Sequence, residues 1–364
     1  MKINVDDGRR VTENRGVESE LDDVATRVWR LAGGSPEVAE VLSISGPRAV
    51  LPSYFDVTGL ATASVAAAAR AAAEFLAARN GTPPKPVSVD TRTASAAFAA
   101  EHLFTPVGWS RPGIWDPLAG NYRAQDGWIR LHTNYSYHRT AVERVLGARD
   151  RDAVRSAVSG WKATDLETAV VEAGGCAAVM HTRDEWLASP AGAATADAPP
   201  LTEHARPAAA QRAIAGSGQP YGGVRVLDLT RVMAGPVCTK FLAAFGADVL
   251  RIDPPGFEEV PALVPELTAG KRTAALDLTT AAGRATFERL AGGADVLVTG
   301  LRADALSRLG YDDDTLTALN PALIHASHNA YGWDGPWRDR RGFDSLVQMS
   351  CGIAAAGAAA SGHP

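Results

Sequence analysis

Basic side chains follow the predicted strands in the C-terminal part of this sequence, where they could hold an anion. Arg231 comes directly after an apolar, β-branched run at Val224–Leu229. Arg302 and Arg308 come after a second buried run at Ala294–Val298. Guanidinium groups are permanently charged and forked, which suits them to phosphate and carboxylate oxygens. Because the formal net charge is -5, there is no general basic surface, and an anionic ligand must be bound by such local arginines.

Alternating strands and helices are predicted around these arginines. The periodicity predicts, in order, a strand at Val224–Leu229, a helix at Val237–Phe245, strands at Asp248–Ile252 and Arg272–Leu278, a Thr-capped helix at Thr280–Leu290 and a strand at Ala294–Val298. This alternation favours an α/β fold with a parallel sheet and flanking helices. Ligands of such sheets lie beyond the carboxyl ends of the strands, here residues 230–236, 253–256 and 299–304. The ordinary dinucleotide fingerprint GxGxxG is absent after the first strand.

Composition restricts the class of protein. The chain has 364 residues, of which 46% are hydrophobic, enough for one large or two ordinary domains. A pI near 5.9 argues against nucleic acid as a partner. Three cysteines without metal-ligand spacing indicate no metal site and suit a reducing, cytoplasmic compartment. The charged start is no signal peptide, and charged residues interrupt the longest alanine run, so no membrane span is expected.

The N-terminal part has a different pattern. Residues 1–20 are charged and predict a mobile N-terminus. The run from Phe55 to Arg79 is almost wholly small and apolar and predicts a buried helix ending at Asn80-Gly81. Shorter strand and helix patterns continue to residue 188. The segment 189–220 is rich in Ala, Pro, Gly, Ser and Thr and predicts a linker, followed by the alternating region 221–364.

Several motifs in this second region resemble those of one enzyme family. They are LDLTRVMAGPVCTKFLAAFGADVLRIDPP, GKRTAALDL, ADVLVTGLRADALSRLG, LNPALIHAS and YGWDGPWRDRRGFDSLVQMSCG. In this order they resemble the first half of the family III CoA-transferases, which include formyl-CoA transferase, carnitine CoA-transferase and the α-methylacyl-CoA racemases. Residues 21–188 resemble, more weakly, the second half, with its alanine-rich helix and small α+β domain. The resemblance therefore implies a Rossmann-like sheet with a smaller α+β domain.

The resemblance implies that coenzyme A or an acyl-CoA binds as substrate, with no permanently bound cofactor. The residues that match its CoA-binding positions are Arg231, Val232, Met233, Ala234, Lys271, Arg272, Gly300, Leu301 and Arg308. Two departures weaken the match. Pro254 stands where a transferase can have arginine, and Gly300-Leu301 replaces the Asn-Phe of many members. Each arginine could instead lie on a solvated helix face or strand end.

The catalytic positions match less well. A family III transferase uses an aspartate that attacks the thioester carbonyl and forms a mixed anhydride. Counting from Asp344 places Ser361 at that position, and no Asp or Glu follows Asp344. A carboxylate from elsewhere, such as Asp56 or Asp90, would be needed.

Asp344 itself matches the aspartate that acts as a base in the racemases, although the histidine partner of that base is missing. Its structural alternative is an N-cap for a helix at Ser345–Ala356.

The order of the two regions is reversed relative to the family, and family members continue past the position of Pro364. A tandem protein whose second copy stops early is favoured over a circular permutant. Three functions remain open: acyl-CoA:carboxylate CoA-transfer, which is favoured; acyl-CoA racemisation or isomerisation through Asp344; and a catalytically silent CoA-binding subunit. The expected partners are acyl-CoA and a small carboxylic acid, and the resemblance implies a homodimer or an interlocked self-association.

Overall fold

A computed structural model of the chain describes residues 24–34, 42–206, 209, 214 and 218–363. These residues form two compact units. The first contains the described residues up to Phe104, with 200–203, 214 and 218–223, and the second contains the remainder. The division after Phe104 falls inside the segment 21–188 that the sequence suggests as one region. The predicted mobile N-terminus, 1–20, lies outside the described residues.

The first unit is built around the long alanine-rich helix. Its elements are α1 (residues 24–31), β1 (Leu42–Ser45), α2 (Val57–Asn80), β2 (Val87–Asp90), α3 (Thr91–Phe98) and α4 (Ala100–Leu103). The Asp56 carboxylate caps α2 by accepting the Gly59 N–H at 2.8 Å, and Gly81 ends the helix with φ 62°. Ala66 of α2 packs with Val89 of β2 and Ala94 of α3. The predicted helix is therefore confirmed to within two residues at each end.

Helix α2 corrects one expectation from the sequence. It is long and apolar enough to cross a membrane by length and composition, and it is the one such helix among the described residues. Its charged residues are Arg70, Glu74 and Arg79, and Arg70 pairs with Glu74 at 2.7 Å within the helix. The pairing lowers the cost of burying the Arg70 side chain, which is 8% exposed. The helix packs against other elements of its own unit, as core helices do.

A three-stranded antiparallel sheet begins the second unit. Its elements are β3 (Gly120–Arg123), β4 (Trp128–Leu131), α5 (Ser136–Leu146), α6 (Arg151–Val158), α7 (Ala163–Glu172), β5 (Ala177–Val179), α8 (Arg183–Ala188) and α9 (Pro190–Thr195). The strand order is β3-β4-β5. One face of β4 packs Ile129 and Leu131 against Val142, Leu166 and other side chains of α5–α7. Helix α9 lies within the predicted linker, 189–220. The first residues of that segment therefore form a helix.

A five-stranded parallel sheet follows. Its elements are β6 (Arg225–Leu229), α10 (Ala234–Ala244), β7 (Asp248–Asp253), α11 (Val264–Leu267), β8 (Arg272–Ala275), α12 (Ala281–Gly292), β9 (Val296–Thr299), α13 (Ala305–Arg308), α14 (Asp313–Leu319) and β10 (Ile324–Ser327). The strand order is β10-β9-β6-β7-β8, and every pair is parallel. The order reverses between β6 and β9. The predicted parallel sheet with flanking helices is confirmed, including the Thr280 cap of α12.

A buried ion pair ties β6 to the segment before β8. The side chains of Asp228 and Lys271 are both 0% exposed, and Lys271 Nζ lies 2.9 Å from Asp228 Oδ2. Lys271 Nζ also donates to the Pro236 carbonyl at 2.9 Å, and Thr239 Oγ1 donates to Asp228 at 2.6 Å. Burial acts to raise the pKa of Asp228, but Lys271 and the hydrogen bonds from Thr230 and Thr239 outweigh it and hold the pKa below its usual value.

The last helices, α15 (Asp344–Ser350) and α16 (Ile353–Ser361), pack on the three-stranded sheet of the same unit. Leu346 and Met349 of α15 contact Cys176 and Ala178. One continuous helix over Ser345–Ala356 was the expectation, and it is wrong. Gly352 interrupts the helix with φ 94°, and a Cβ there would lie 2.4 Å from the backbone nitrogen of Arg183.

Lys271→Met should lower the free energy of unfolding by about 3–5 kcal/mol, because it leaves the Asp228 carboxylate buried without its partner. The adjacent Arg272 supplies the matched control, since it forms an exposed pair with Asp248. Arg272→Met should cost at most about 1 kcal/mol. Urea denaturation of the two variants measures the difference. Equal effects would contradict the structural role of the buried pair.

Candidate functional site

The loop after β6 is strained. Val232 has φ 62°, and it is the one non-glycine residue with positive φ among the described residues. A β-branched residue is costly in this region, by about 1–3 kcal/mol, and such strain persists where the surrounding structure fixes it. The Gly235 backbone packs closely against Thr230, since a Cβ at position 235 would lie 2.3 Å from the Thr230 side chain. Met233 precedes α10 without a side-chain cap. The first free N–H groups of α10 therefore lie at the carboxyl edge of the sheet, where an anion is favoured.

Arg231 lies beside this loop and is largely buried. Its Nε is 3.2 Å from Asp253 Oδ1, at the end of β7, and its guanidinium stacks over the Phe257 ring at 4.5 Å. Burial is the main cause that lowers the pKa of Arg231, while the Asp253 charge opposes it. Arg231 is thus positioned at the predicted edge, but one side of its guanidinium is already paired.

Two glutamates that the sequence analysis did not single out hold the segment after β7. Glu259 Oε2 accepts from Arg251 at 2.6 Å, and Glu259 Oε1 accepts from the Tyr135 hydroxyl at 3.3 Å. Glu258 Oε2 accepts the N–H of Ser136 at 3.0 Å, at the start of α5. These contacts join the loop after β7 to the small sheet's helices. Two adjacent glutamates are a sequence signal for a charged contact. The pattern could not identify Tyr135 and Ser136 as partners, because these lie more than 100 residues earlier in the chain.

The Gly300-Leu301 pair lies at the carboxyl end of β9. A Cβ at Gly300 would lie 2.3 Å from the His328 ring, which therefore fills the space that a side chain at position 300 would need. Burial is the main cause that lowers the pKa of His328, so its imidazole is held in the neutral form. Sequence pattern alone does not predict this contact between His328 and Gly300.

The arginine predicted to bind phosphate remains accessible. The Arg308 side chain is 52% exposed and pairs with Asp304 at 2.5 Å within the segment of α13. Both residues follow β9, at the same edge of the sheet as the loop after β6. Arg308 therefore has exposed guanidinium nitrogens on the side where ligands of parallel sheets bind.

Lys271 and Arg272 are placed differently from the expectation that they contact CoA. The Lys271 ammonium is enclosed by Asp228, Thr239 and the Pro236 carbonyl. It therefore stabilises the residues on both sides of the strained loop. Arg272 begins β8 and pairs with Asp248 at the amino end of β7. That end of the sheet is opposite the loop after β6. Neither side chain faces the predicted ligand position in this arrangement.

Asp344 does not cap a helix. It is the first residue of α15, the N-cap position belongs to Phe343, and no side-chain cap hydrogen bond is present there. The Asp344 carboxylate instead accepts from Gln348 Nε2 at 2.7 Å and remains exposed. The positive charge of Arg130 on β4 lies near enough to interact with it. The cap interpretation is therefore wrong, because Phe343 is held in an aromatic cluster and fixes where the helix begins.

That aromatic cluster contains two buried histidines. His132 stacks on Phe343 with ring centroids 3.9 Å apart, and His138 Nε2 lies 3.3 Å from Cys176 Sγ. Burial, followed by the charges of His138 and Arg130, lowers the pKa of His132 to about 3. Burial and the charge of Arg341 lower the pKa of His138 to about 4, against an opposing effect of Glu258. Both imidazoles are therefore neutral at pH 7.

Comparison with known proteins agrees with the resemblance. Residues 221–364 match the model of CoA-transferase family III. This segment belongs to that family. The succinate–glutarate CoA-transferase of Agrobacterium fabrum is 35% identical over 40% of this chain and 41% of its own length. The formyl-CoA:oxalate CoA-transferase of Escherichia coli is 33% identical over 37% of this chain and 35% of its own.

A third relative extends further along the chain. An acyl-CoA transferase of Gibberella moniliformis is 26% identical over 62% of this chain and 43% of its own length. That match is longer than residues 221–364 can supply, so it reaches into the N-terminal part. The chain spans between 35% and 43% of the lengths of these three family relatives.

Gly300→Ala should lower the free energy of unfolding by about 1–2 kcal/mol, because the new methyl group must displace the His328 ring. Adding His328→Ala should recover most of that loss. Gly357→Ala is a suitable control, since no atom lies near a Cβ there within α16. Chemical denaturation of the wild-type protein, Gly300→Ala, His328→Ala and the double variant forms a double-mutant cycle. Strictly additive effects would contradict the contact.

Acidification should destabilise the protein through His132 and His138. Their pKa values in the folded state, about 3 and about 4, lie below the usual 6.5, so the unfolded chain takes up protons first. Stability is full above pH 6.5 and should fall toward pH 4, by up to about 1.4 kcal/mol per pH unit for each histidine. His132→Phe should reduce this slope by about half, whereas substitution of the exposed His363 should not. Urea denaturation at several pH values measures the slopes, and a pH-independent stability would contradict this expectation.

Proposed function

We propose that this chain is an acyl-CoA:carboxylate CoA-transferase of the family III type. The observation that carries the proposal is the strained loop Arg231–Ala234, which lies at one edge of the sheet with Gly300-Leu301 and Arg308. Backbone N–H groups at the start of α10 and the exposed Arg308 guanidinium suit the phosphates of CoA. The membership of residues 221–364 in a family of CoA-transferases supports the same ligand.

The finer fold assignment is part of the proposal. When the strands are renumbered within the sheet, their order is three-two-one-four-five, with all strands parallel. This is the Rossmann strand order without its sixth strand, and its switch point lies between β6 and β9. The loops that follow these two strands are Thr230–Met233 and Gly300–Asp304. The order therefore supports a Rossmann-like CoA site at that crevice.

The transferase nucleophile has to come from outside residues 345–364, which contain no Asp or Glu. In a family III reaction, a carboxylate oxygen attacks the thioester carbonyl, a mixed anhydride forms and the CoA thiolate leaves. Asp56 and Asp90 are poor candidates, because their carboxylates cap α2 and α3. We infer that this chain supplies the CoA-binding surface, and that the attacking carboxylate belongs to another segment or a partner chain.

Asp344 favours acyl-CoA racemisation as a second candidate function. Its carboxylate is exposed, accepts a hydrogen bond from Gln348, and interacts with the Arg130 charge. A carboxylate can act as a base at the carbon beside a thioester. A silent CoA-binding subunit is the third candidate, and it is favoured by Pro254 and Gly300, which stand where family members can have arginine and asparagine.

The setting of the reaction is proposed from the family. The relatives named above act, by their names, on succinate with glutarate and on formyl-CoA with oxalate. We infer a small carboxylic acid as the acceptor for this chain. A cytoplasmic location and self-association as a homodimer remain predictions from the sequence.

Arg308→Ala should weaken CoA binding by about tenfold or more, because a charge-assisted contact to phosphate contributes about 1.5–3 kcal/mol. Arg289→Ala is the matched control, since Arg289 is exposed in the last turn of α12, near the amino end of the sheet. Isothermal titration calorimetry with CoA measures both. If the wild-type chain binds no CoA, the proposed function is wrong.

Isotope exchange separates the three candidate activities. A transferase moves labelled CoA between an acyl-CoA and a free acid. A racemase exchanges the hydrogen beside the thioester with deuterium from solvent, and Asp344→Asn abolishes the exchange. A silent subunit binds CoA and catalyses neither reaction.

A further inference from the structure

A threonine, a histidine and an aspartate form a hydrogen-bonded chain at the carboxyl end of β9. Thr299 Oγ1 lies 3.0 Å from His325 Nε2, and His325 Nδ1 lies 3.0 Å from Asp313 Oδ1. Thr299 is the last residue of β9, His325 is on the paired strand β10, and Asp313 is the first residue of α14. A hydroxyl, an imidazole and a carboxylate linked in this order are the groups that activate a nucleophile in many hydrolases.

The hydrogen bonds fix the direction in which a proton can move. Asp313 also accepts from Arg206 Nη2 at 3.2 Å, and the hydrogen bond from His325 is the main cause that lowers the pKa of Asp313. Because an ionised carboxylate only accepts hydrogen bonds, Nδ1 of His325 must be the donor to Asp313. In the neutral imidazole the other nitrogen, Nε2, is then the acceptor for the Thr299 hydroxyl. His325 is therefore oriented as a general base toward Thr299.

Thr299 directly precedes Gly300 and Leu301, which belong to the candidate CoA site. Strand β9 lies beside β6, and Thr299 pairs with Leu229, the last residue of β6. The Thr299 residue and the loop after β6 therefore share the carboxyl edge of the sheet. The backbone N–H groups of Gly300 and Leu301 donate to no backbone carbonyl in the described part of the chain. They are available to an oxyanion that forms beside Thr299.

Exposure decides which substrates can reach the hydroxyl. Thr299 is 4% exposed, whereas the side chains of His325 and Asp313 are 13% and 78% exposed. The chain of hydrogen bonds therefore opens to solvent at its carboxylate end, and its hydroxyl end is enclosed. Because little space surrounds an enclosed atom, the hydroxyl favours a short acyl group on a slender thioester arm over a long or branched acyl group.

We propose that Thr299, His325 and Asp313 hydrolyse short-chain acyl-CoA thioesters through an acyl-threonine intermediate. This inference rests on the proposed function for the binding of CoA, and it adds an activity that needs no carboxylate nucleophile. Thr299 Oγ1 attacks the thioester carbonyl carbon and passes its proton to His325 Nε2. The C–S bond breaks, and the CoA thiolate leaves with that proton. Water then gives a proton to His325 and attacks the ester carbonyl, the C–O bond to Thr299 breaks, Thr299 regains the proton and the free acid is released.

Release of free thiol from acetyl-CoA tests this activity on the full chain. The wild-type chain should release CoA thiol, and mass spectrometry of the quenched reaction should find an acetyl group on the peptide that contains Thr299. Thr299→Val removes the hydroxyl and nearly preserves the shape of the side chain. It should lower the rate by about 100-fold or more and abolish the acetyl adduct. Thr299→Ser keeps a hydroxyl and should retain both the reaction and the adduct.

Variants of the other two residues separate catalysis from structural support. His325→Gln should lower the rate by about 100-fold, because the Thr299 hydroxyl loses its base. Asp313→Asn should have a smaller effect, because Asp313 orients the imidazole and does not touch the substrate. Asp314→Asn is the matched control, since Asp314 is the next residue of α14 and is exposed, and it should leave the rate unchanged. Thermal unfolding of each variant confirms that the folded protein was assayed.

Two further measurements distinguish the ways in which the inference can fail. They are calorimetric titration with CoA and cleavage of p-nitrophenyl acetate, a small ester without a CoA group. If the wild-type chain binds CoA but releases no thiol, or releases it equally fast as Thr299→Val, the hydrolytic role of Thr299 is wrong and the proposed function stands. If p-nitrophenyl acetate is cleaved in a Thr299-dependent reaction but CoA does not bind, the thioester assignment and the proposed function are both wrong. An acetyl adduct confined to residues other than Thr299 also overturns the inference.

Discussion

The buried pair of Asp228 and Lys271 is the interaction on which the candidate site depends. Two opposite charges with no exposed surface are stable together only when every remaining donor and acceptor is satisfied. Here Thr230, Thr239 and the Pro236 carbonyl complete the set. Because these partners come from β6, the following loop and α10, the pair fixes how the chain leaves the strand. The loop that carries Arg231 and Val232 begins only two residues after Asp228.

Because the chain leaves β6 in a fixed direction, Val232 can persist in a left-handed conformation. Its side chain packs against a cluster containing Val260, Ala262 and Leu263, beyond the end of β7. Arg231 is held on the other side by Asp253 and Phe257. A loop held from both sides needs little reorganisation when a ligand binds, so less of the binding free energy is lost to ordering.

Most helices and strands could be predicted from the sequence, but the contacts between residues distant in the chain could not. Apolar runs and caps predicted α2, α12 and the parallel sheet, since these depend on local pattern. The role of Lys271 could not be predicted, because its partner Asp228 is 43 positions away and the same Gly-Lys-Arg element would suit a phosphate contact. The His328 contact with Gly300 depends on the pairing of β9 with β10, and periodicity does not give that register. The predicted cap at Asp344 is not formed, because the packing of Phe343 makes Phe343 the N-cap residue.

The segment that carries Asp344 follows the parallel sheet in the chain but packs against the three-stranded sheet. Arg340 donates to the Ala177 carbonyl at 2.8 Å, pairs with Glu167 at 3.0 Å and stacks on Trp337 at 3.7 Å. Phe343 stacks on His132, and Leu346 packs with Cys176 and Ala178, so the segment on each side of Asp344 is held by residues of the three-stranded sheet or its loops. Arg341 lies between the anchored residues Arg340 and Phe343, and it forms no ion pair with another described residue. The small sheet therefore determines where the Asp344 carboxylate and the Arg341 guanidinium lie, although both residues follow the parallel sheet in the chain.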